Sequence, residues 1–108
     1  MIARLWSART TSLQSTKYLE HFWQSVVPSL QTFNGYVCSS VLVRSQGDSV
    51  EILVSTVWQS LQAIEAFAGS DRETAIVASE AAALLTDYDT RVRHYEVAQL
   101  DGLTFRQS

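Results

Sequence analysis

The chain is poor in the residues and segments that would tie it to a special environment. Among its 108 residues there is one cysteine, Cys38, which excludes an intramolecular disulfide and favours a reducing compartment. No apolar run approaches the roughly 20 residues that a membrane span requires, and the first residues lack the basic start and long apolar core of a signal peptide. The formal net charge of −3 does not favour nucleic acid, whose binding normally needs a basic face. The sequence therefore predicts one cytoplasmic globular domain without membrane or nucleic-acid partners.

Common arrangements of catalytic and metal-binding residues are also missing. The two histidines, His21 and His94, are far apart and lack metal-ligand spacing with a carboxylate or with Cys38. The four glycines lie in turn-like contexts without a phosphate-binding loop, and no serine or threonine has the surroundings of a hydrolase nucleophile. Cys38 falls within a predicted strand, where a thiol more often packs as a small hydrophobe. We therefore expect neither a metal nor a cofactor.

Residues 50–71, VEILVSTVWQSLQAIEAFAGSD, carry the clearest structural pattern of the chain. Their first part alternates as a strand, with Ile52, Val54, Thr56 and Trp58 on one face and Leu53, Ser55 and Val57 on the other. Ser60 is a suitable N-cap for a short helix, and Gly69 is placed to end that helix. Ser70 and Glu73 then form a capping box, which predicts that a second helix begins there.

The remaining patterns complete a β-α-β-β-α-β order. In addition to the central strand and short helix, we predict strands at 2–9, 36–44 and 91–98, helices at 13–27 and 73–85, a hairpin turn at 45–48 and a loop at 86–90. Pro28 marks either the end of the regular first helix or the start of an irregular exit from it. The apolar stripe of the first helix consists of Leu13, Thr16, Leu19, Phe22, Trp23 and Val26. This is the ferredoxin-like α+β plan, with a four-stranded antiparallel sheet in a single domain, 1–98, followed by a polar tail, 99–108.

The predicted strands are apolar on both faces, although two helices can cover only one face of such a sheet. Leu53 and Val57 lie opposite the face that carries Ile52 and Val54. Apolar surface left in water costs roughly 25 cal/mol per Å². Burial against a second copy removes that cost, so we expect a homodimer with facing sheets.

These segments together resemble the antibiotic-biosynthesis-monooxygenase-like family of dimeric α+β barrels. The resemblance runs from Ile2 to Val97, through MIARLW, a hairpin with QGD and a closing VRHYEV, and its most specific motif, W-x-S-x-x-A-I-x-A-F-A-G-x-D, spans Trp58 to Asp71. It implies two protomers joined through their sheets, each with a pocket between its helices and the helix-facing side of its sheet. Activities in this superfamily include cofactor-independent oxidation of polycyclic aromatic phenols to quinones and oxygen-dependent haem degradation.

The active-site patterns of both branches meet this sequence only at Trp58. The haem-degrading branch has a haem-ligating histidine at a position that corresponds to about Val77, and valine cannot ligate iron. Its first-strand asparagine has no counterpart between Ile2 and Ser7. The quinone-forming branch pairs its tryptophan with an asparagine four residues earlier, where this chain has Val54. The resemblance therefore makes haem degradation unlikely for this chain and leaves the phenol-oxidising reaction as the activity to consider.

Seven residues are candidates for the site. Trp58 and His94 are candidate catalytic groups, and the candidate substrate-binding residues are Arg4, Trp6, Phe22, Tyr36 and Phe67. Trp58 could instead be a core residue, and His94 could be a strand histidine with a satisfied hydrogen bond rather than a general base. For Arg4 the safer expectation is an ion pair with Glu51 or Glu96, since a buried charge needs a partner.

Two functions from different classes follow. The first is a small cofactor-independent monooxygenase, in which the protein desolvates and orients a phenolic or polycyclic substrate that itself reacts with oxygen. The second is a non-catalytic ligand-binding or structural barrel. An apolar pocket near Trp58 with a convergent polar group such as His94, Arg4 or Tyr36 would favour the first. A pocket filled by Trp6, Phe22, Trp23 and Phe67 would exclude it.

Overall fold

The computed structural model describes residues 1–101, which form an antiparallel sheet with helices on one side. The elements in chain order are β1 (Ile2–Thr11), α1 (Ser12–His21), a π-helical turn (Phe22–Val26), α2 (Val27–Leu30), β2 (Tyr36–Gln46), β3 (Ser49–Trp58), α3 (Leu61–Ala68), α4 (Ser79–Ala82), β4 (Asp87–Tyr88) and β5 (Arg93–Glu96). The predicted ferredoxin-like α+β fold is confirmed. None of the helices between residues 1 and 101 is long and apolar enough to cross a membrane. Of the predicted tail, 99–108, residues 102–108 lie outside the described residues.

The sheet places alternate residues of each strand on opposite faces. Its order is β2-β3-β1-β4, and β5 also pairs with β1, so β1 lies between β3 and the two short C-terminal strands. In β3 the predicted alternation is confirmed, and the face that carries Ile52, Val54, Thr56 and Trp58 is buried. On the other face Leu53 is half-buried, and its neighbour in β2, Leu42, is 56% exposed.

The signals around β3 and α3 are confirmed as predicted. The β2–β3 hairpin turns at Gly47, whose φ of +62° is a conformation that favours glycine. The Ser60 side chain caps α3 by accepting a hydrogen bond of 3.1 Å from the Ala63 backbone N–H. Gly69 follows the last turn of α3 with a φ of +88°. These local contacts fix where β3 ends and where α3 begins.

Of the two predicted roles of Pro28, the end of the first helix is wrong, because the chain remains helical to Leu30. The π-helical turn just before Pro28 contains a hydrogen bond from the Val27 N–H to the Phe22 carbonyl, which is one residue longer than an α-helical bond. Pro28 thus lies in the first turn of α2, directly after the wider π-helical turn. The wider turn also rotates the side chains that follow it.

The buried face of the helices also differs from the predicted apolar stripe. The buried residues are Tyr18, Phe22 and Leu30, with Val26 half-buried, at a constant spacing of four residues. Four members of the predicted stripe face solvent instead, since Leu13 is 76%, Leu19 38% and Trp23 72% exposed, and Thr16 is exposed as well. Only the Phe22 and Val26 part of the stripe was correct.

The prediction of a long second helix from the Ser70 capping box is also wrong. The helix is reduced to α4, because backbone groups before it bond elsewhere in the fold. The carbonyls of Arg72 and Thr74 accept from the Arg4 guanidinium, and the Ala75 N–H donates to the Thr90 carbonyl at 2.9 Å. Groups committed to these partners are unavailable for a helical ladder.

The predicted loop at 86–90 contains a strand. Asp87 and Tyr88 form β4 opposite Arg9 and Ala8 of β1, and the sheet therefore has five strands. The expected last strand at 91–98 is shorter, with only Arg93–Glu96 in β5. Both short strands continue one edge of β1, and Asp89 is tied to it by a hydrogen bond from its N–H to the Ser7 carbonyl.

Candidate functional site

A cavity of about 80 Å³ lies between the helix-facing side of the sheet and its helical cover. The sheet contributes Arg4, Trp6, Val54 and Thr56; the first helices contribute Tyr18, His21, Phe22, Val26 and Leu30; and Phe67, Ile76, Val77, Ala78, Ala81 and Val92 complete the lining. Most of these side chains are apolar. The cavity therefore combines an apolar wall with a few polar groups, which is the usual composition of a small-molecule site.

Arg4 provides the cationic group of this lining. It is 5% exposed, and its Cζ lies 5.7 Å from the centre of the Phe67 ring. Its Nη2 donates to the Thr74 carbonyl at 2.7 Å, and its Nη1 donates to the Arg72 carbonyl and lies 3.1 Å from His94 Nε2. These contacts hold the guanidinium in one position at the edge of the cavity.

The expected ion pair of Arg4 with Glu51 or Glu96 is wrong. Glu51 is paired with Arg44 at 2.8 Å on the outer face, and no ion pair among residues 1–101 includes Arg4. Burial lowers the pKa of Arg4 to about 10, so the side chain stays protonated at neutral pH. The neutral carbonyls around it satisfy hydrogen bonds and leave its charge unbalanced.

His94 lies opposite Arg4 in the β1–β5 pairing and outside the cavity lining. An arginine can only donate, so His94 Nε2 must be the unprotonated nitrogen in this contact and Nδ1 carries the proton. Burial first, and then the charge of Arg4, lower the pKa of His94, while Glu73 opposes this effect. His94 Nε2 accepts a hydrogen bond from Arg4 Nη1, so its lone pair is already in use. His94 therefore orients Arg4.

Trp58 is fully buried and does not line the cavity. Its ring stacks on Phe67 at 5.4 Å between centroids and meets Tyr36 edge-on at 5.4 Å. Its indole N–H donates to the Thr56 hydroxyl oxygen at 2.9 Å. Trp58 thus contacts two residues of the cavity wall, Phe67 and Thr56, from behind.

The other candidate residues divide between two places. Trp6, Phe22 and Phe67 line the cavity together with Arg4. Tyr36 lines a separate groove of about 430 Å³ between the first helices and the edge strand β2, beside the exposed Trp23. Because Trp23 faces this groove, the predicted quartet of aromatic residues does not fill the cavity.

Three polar lining residues were absent from the sequence-based candidates: Tyr18, His21 and Thr56. Burial raises the pKa of Tyr18 to about 12, which keeps its phenol neutral. The Nε2 atom of His21 is buried without a hydrogen-bond partner among the described residues. The spacing of Tyr18, His21 and Phe22 places them on one helical face, which is the signal that could have identified them.

The lining does not fit a haem. Val77, at the position corresponding to the ligand of the haem-degrading branch, lines the cavity and offers no donor atom. The volume of about 80 Å³ is below the roughly 150 Å³ of a cavity that holds a single benzene ring, whereas a haem contains four pyrrole rings. Within residues 1–101, no three His, Cys, Asp or Glu side chains come together as a metal site.

Comparisons with known proteins agree with the fold. A family model described as antibiotic biosynthesis monooxygenase matches residues 1–79. A candidate antibiotic biosynthesis monooxygenase from Bacillus cereus is similar in structure, with a TM-score of 0.66, 19% sequence identity, and coverage of 94% of this chain and 95% of that chain. A second such candidate, from Deinococcus radiodurans, has a TM-score of 0.56, 12% identity, and coverage of 94% and 97%.

A third similar structure is that of the haem degrader MhuD from Mycobacterium tuberculosis, which has two haems bound in its active site. Its TM-score is 0.60 and its sequence identity 17%, with coverage of 94% of this chain and 100% of that chain. No curated protein matches the sequence. At these levels of identity the structural similarities establish the fold and leave the reaction to be argued from the cavity.

Proposed function

This chain belongs to the antibiotic biosynthesis monooxygenase family, and from that premise we propose that it is a small cofactor-independent monooxygenase acting on a phenolic aromatic substrate. The substrate occupies the cavity between the helices and the sheet. The observation that carries the proposal is a buried cation, Arg4, in an otherwise largely apolar cavity.

The lining matches what such a reaction needs from a protein. Conversion of a phenol to a quinone consumes one O₂, retains one oxygen atom in the quinone and releases the other as water. The electrons come from the substrate, so the protein has to hold the ring, exclude water and favour the phenolate. Trp6, Phe22 and Phe67 supply the aromatic wall, and Arg4 is placed to stabilise the phenolate oxygen.

We also propose that the protein acts as a cytoplasmic homodimer. The sheet face opposite the helices carries Leu53 beside Leu42, which is 56% exposed, and Ala3 beside Tyr95, which is 49% exposed. At roughly 25 cal/mol per Å², burial of this apolar face against a second copy is favourable. The cavity lies on the opposite side of the sheet, so the two halves of the dimer would each keep a complete site.

The proposal is tested by oxygen consumption and by binding. Single-ring phenols added to the purified protein should bind, and at least one should cause consumption of O₂ with formation of a quinone absorbance. Val77→Phe should abolish both effects because Val77 lines the cavity. Val43→Phe is the matched control, since Val43 is 45% exposed and lies outside the cavity.

Two results would change the conclusion. Binding that Val77→Phe blocks, without consumption of O₂ for any phenol, would support the non-catalytic ligand-binding alternative. Equal binding by both variants would mean that the cavity is not the ligand site, and the proposal would fail.

A further inference from the structure

We propose that the cavity selects a single-ring aromatic monoanion and that Arg4 and Thr56 together bind its anionic oxygen. The inference deepens the proposed function, because it takes the cavity to be the ligand site. It goes further by assigning the charge and the size of the ligand.

Arg4 has hydrogen-bond donors to spare. A guanidinium carries five N–H groups, and three of them serve the carbonyls of Arg72 and Thr74 and the Nε2 of His94. The Nε–H and one Nη2–H have no acceptor in the contacts of residues 1–101. Arg4 lines the cavity and is held by those three contacts, so a ligand there meets a fixed cation with unused donors.

Thr56 adds a third donor directly beside Arg4. The two residues are partners in the β1–β3 pairing and point to the same face of the sheet. The Thr56 oxygen accepts from the Trp58 indole, and its own hydroxyl proton has no acceptor in the described contacts. Since Thr56 lines the cavity, an acceptor on the ligand completes its hydrogen bonding.

The charge balance of this position favours an anion over a neutral acceptor. Arg4 is 5% exposed and is paired with no carboxylate within the described part of the chain. A buried cation surrounded by neutral groups loses hydration without a compensating charge. An oxygen anion supplies both the missing charge and the missing acceptor, and charge-assisted hydrogen bonds are the strong ones.

The small cavity volume favours a ligand with a single ring. The cavity measures about 80 Å³, whereas a cavity of roughly 150 Å³ holds benzene. One ring can enter with small movements of the half-buried Val77 and Phe67 at the wall. A fused polycyclic system needs more room than one ring, so the phenolic expectation is favoured over the polycyclic one.

The test compares benzoate with its neutral isostere benzamide by isothermal titration. Wild-type protein should bind benzoate at least about tenfold more tightly, the factor of one charge-assisted hydrogen bond. Arg4→Met should remove this preference while benzamide still binds. Because Arg4→Met also loses the contacts to two backbone carbonyls, Thr56→Val gives a second test, with Thr56→Ser as its matched control.

Thr56→Val should weaken benzoate several-fold more than benzamide, and Thr56→Ser should keep the wild-type preference. Equal affinity of the wild-type protein for both compounds would overturn the assigned charge and leave the cavity as a ligand site. If neither compound binds, and Val77→Phe binds phenols as well as the wild-type protein does, the proposed function is overturned as well.

Titration of 4-nitrophenol then distinguishes a phenolate from a carboxylate as the preferred anion. Wild-type protein should lower the pKa of the bound phenol, seen as phenolate absorbance at a pH where the free compound is protonated, and Arg4→Met should abolish this shift. A shift of that kind identifies a phenolate site. An unshifted phenol together with tight benzoate binding identifies a carboxylate site, and both results support an anion site.

Discussion

Replacement of Trp58 by phenylalanine separates the structural role of this residue from a direct catalytic one. Trp58 is 0% exposed, and phenylalanine keeps the aromatic contact with Phe67 while it removes the indole N–H that donates to Thr56 at 2.9 Å. The lost hydrogen bond costs about 1 kcal/mol, and the space left by the smaller ring adds about 1–2 kcal/mol. We therefore expect the free energy of unfolding to fall by about 2–3 kcal/mol in total.

Urea denaturation with a matched control measures this loss. With slopes of about 1–3 kcal/mol per molar urea, the midpoint should fall by about 0.7–3 M, and Tm by about 10–20 °C for a domain of this size. Trp23→Phe makes the same chemical change at a side chain that is 72% exposed, so its effect should stay within about 0.5 kcal/mol. Protomer concentration must be equal throughout, since dimerisation would add to the measured stability.

The two variants must differ for the reasoning to stand. If Trp58→Phe and Trp23→Phe unfold at the same urea concentration with equal slopes, Trp58 is not the packed residue that its burial indicates. If Trp58→Phe loses stability and still binds benzoate as tightly as wild type, its contribution is to the core alone. A weaker preference for benzoate over benzamide would show that the indole also orients the Thr56 hydroxyl.

Three further predictions follow from other parts of the fold. Leu53→Asp should break the proposed dimer in light scattering, whereas Leu13→Asp, at a position 76% exposed on the helical side, should leave the mass unchanged; an intact dimer in Leu53→Asp would contradict the facing sheets. The free energy of unfolding should fall as pH drops below about 6.5, because burial lowers the pKa of His94 in the folded protein and the unfolded chain then binds the extra proton. His94→Asn should reduce the difference in stability between pH 5 and pH 7.5 in urea denaturation, and an unchanged difference would refute this prediction. Thr10→Val should cost about 1–3 kcal/mol in the same assay, since the Thr10 hydroxyl is buried and donates to the Leu84 carbonyl at 2.6 Å; a loss below about 0.5 kcal/mol would contradict this assignment.

The sequence was most informative where local chemistry and burial agree. In residues 50–69 the alternation of β3, the Ser60 cap and Gly69 each specify the same structure without help from distant residues. Their hydrogen bonds are short in sequence separation, such as the bond from Ala63 to Ser60. Patterns of this kind can be read from the chain because the groups that satisfy them are neighbours.

The prediction of the second helix failed because its competitors are far away in the chain. Arg4 lies 68 residues from Arg72 and donates a hydrogen bond to its carbonyl. The Glu73 carbonyl accepts a hydrogen bond from the Val92 N–H. No pattern within residues 70–78 reveals those partners. The capping box of Ser70 and Glu73 was a real local preference that tertiary contacts overrode.

The candidate site was predicted in part: the sequence indicated several of its residues and did not indicate which groups these residues would contact. Arg4, Trp6, Phe22 and Phe67 were predicted to be substrate-binding residues, and they line one cavity. That Arg4 would lack a carboxylate could not be foreseen, because the pairing of Glu51 with Arg44 depends on the register between β2 and β3.

Alternation along β3 and its register with β1 account for how Trp58 can influence the cavity without touching it. Alternation along β3 places Thr56 and Trp58 on one face, two residues apart, so the indole reaches back to the Thr56 oxygen. Pairing with β1 then sets Thr56 beside Arg4. Trp58 thus donates to the Thr56 oxygen, and the Thr56 O–H remains available as a donor beside the Arg4 cation, which has no paired carboxylate. The structural and functional interpretations of Trp58 are therefore compatible: its burial stabilises the fold, and its N–H sets the polarity of the site that we propose for an anion.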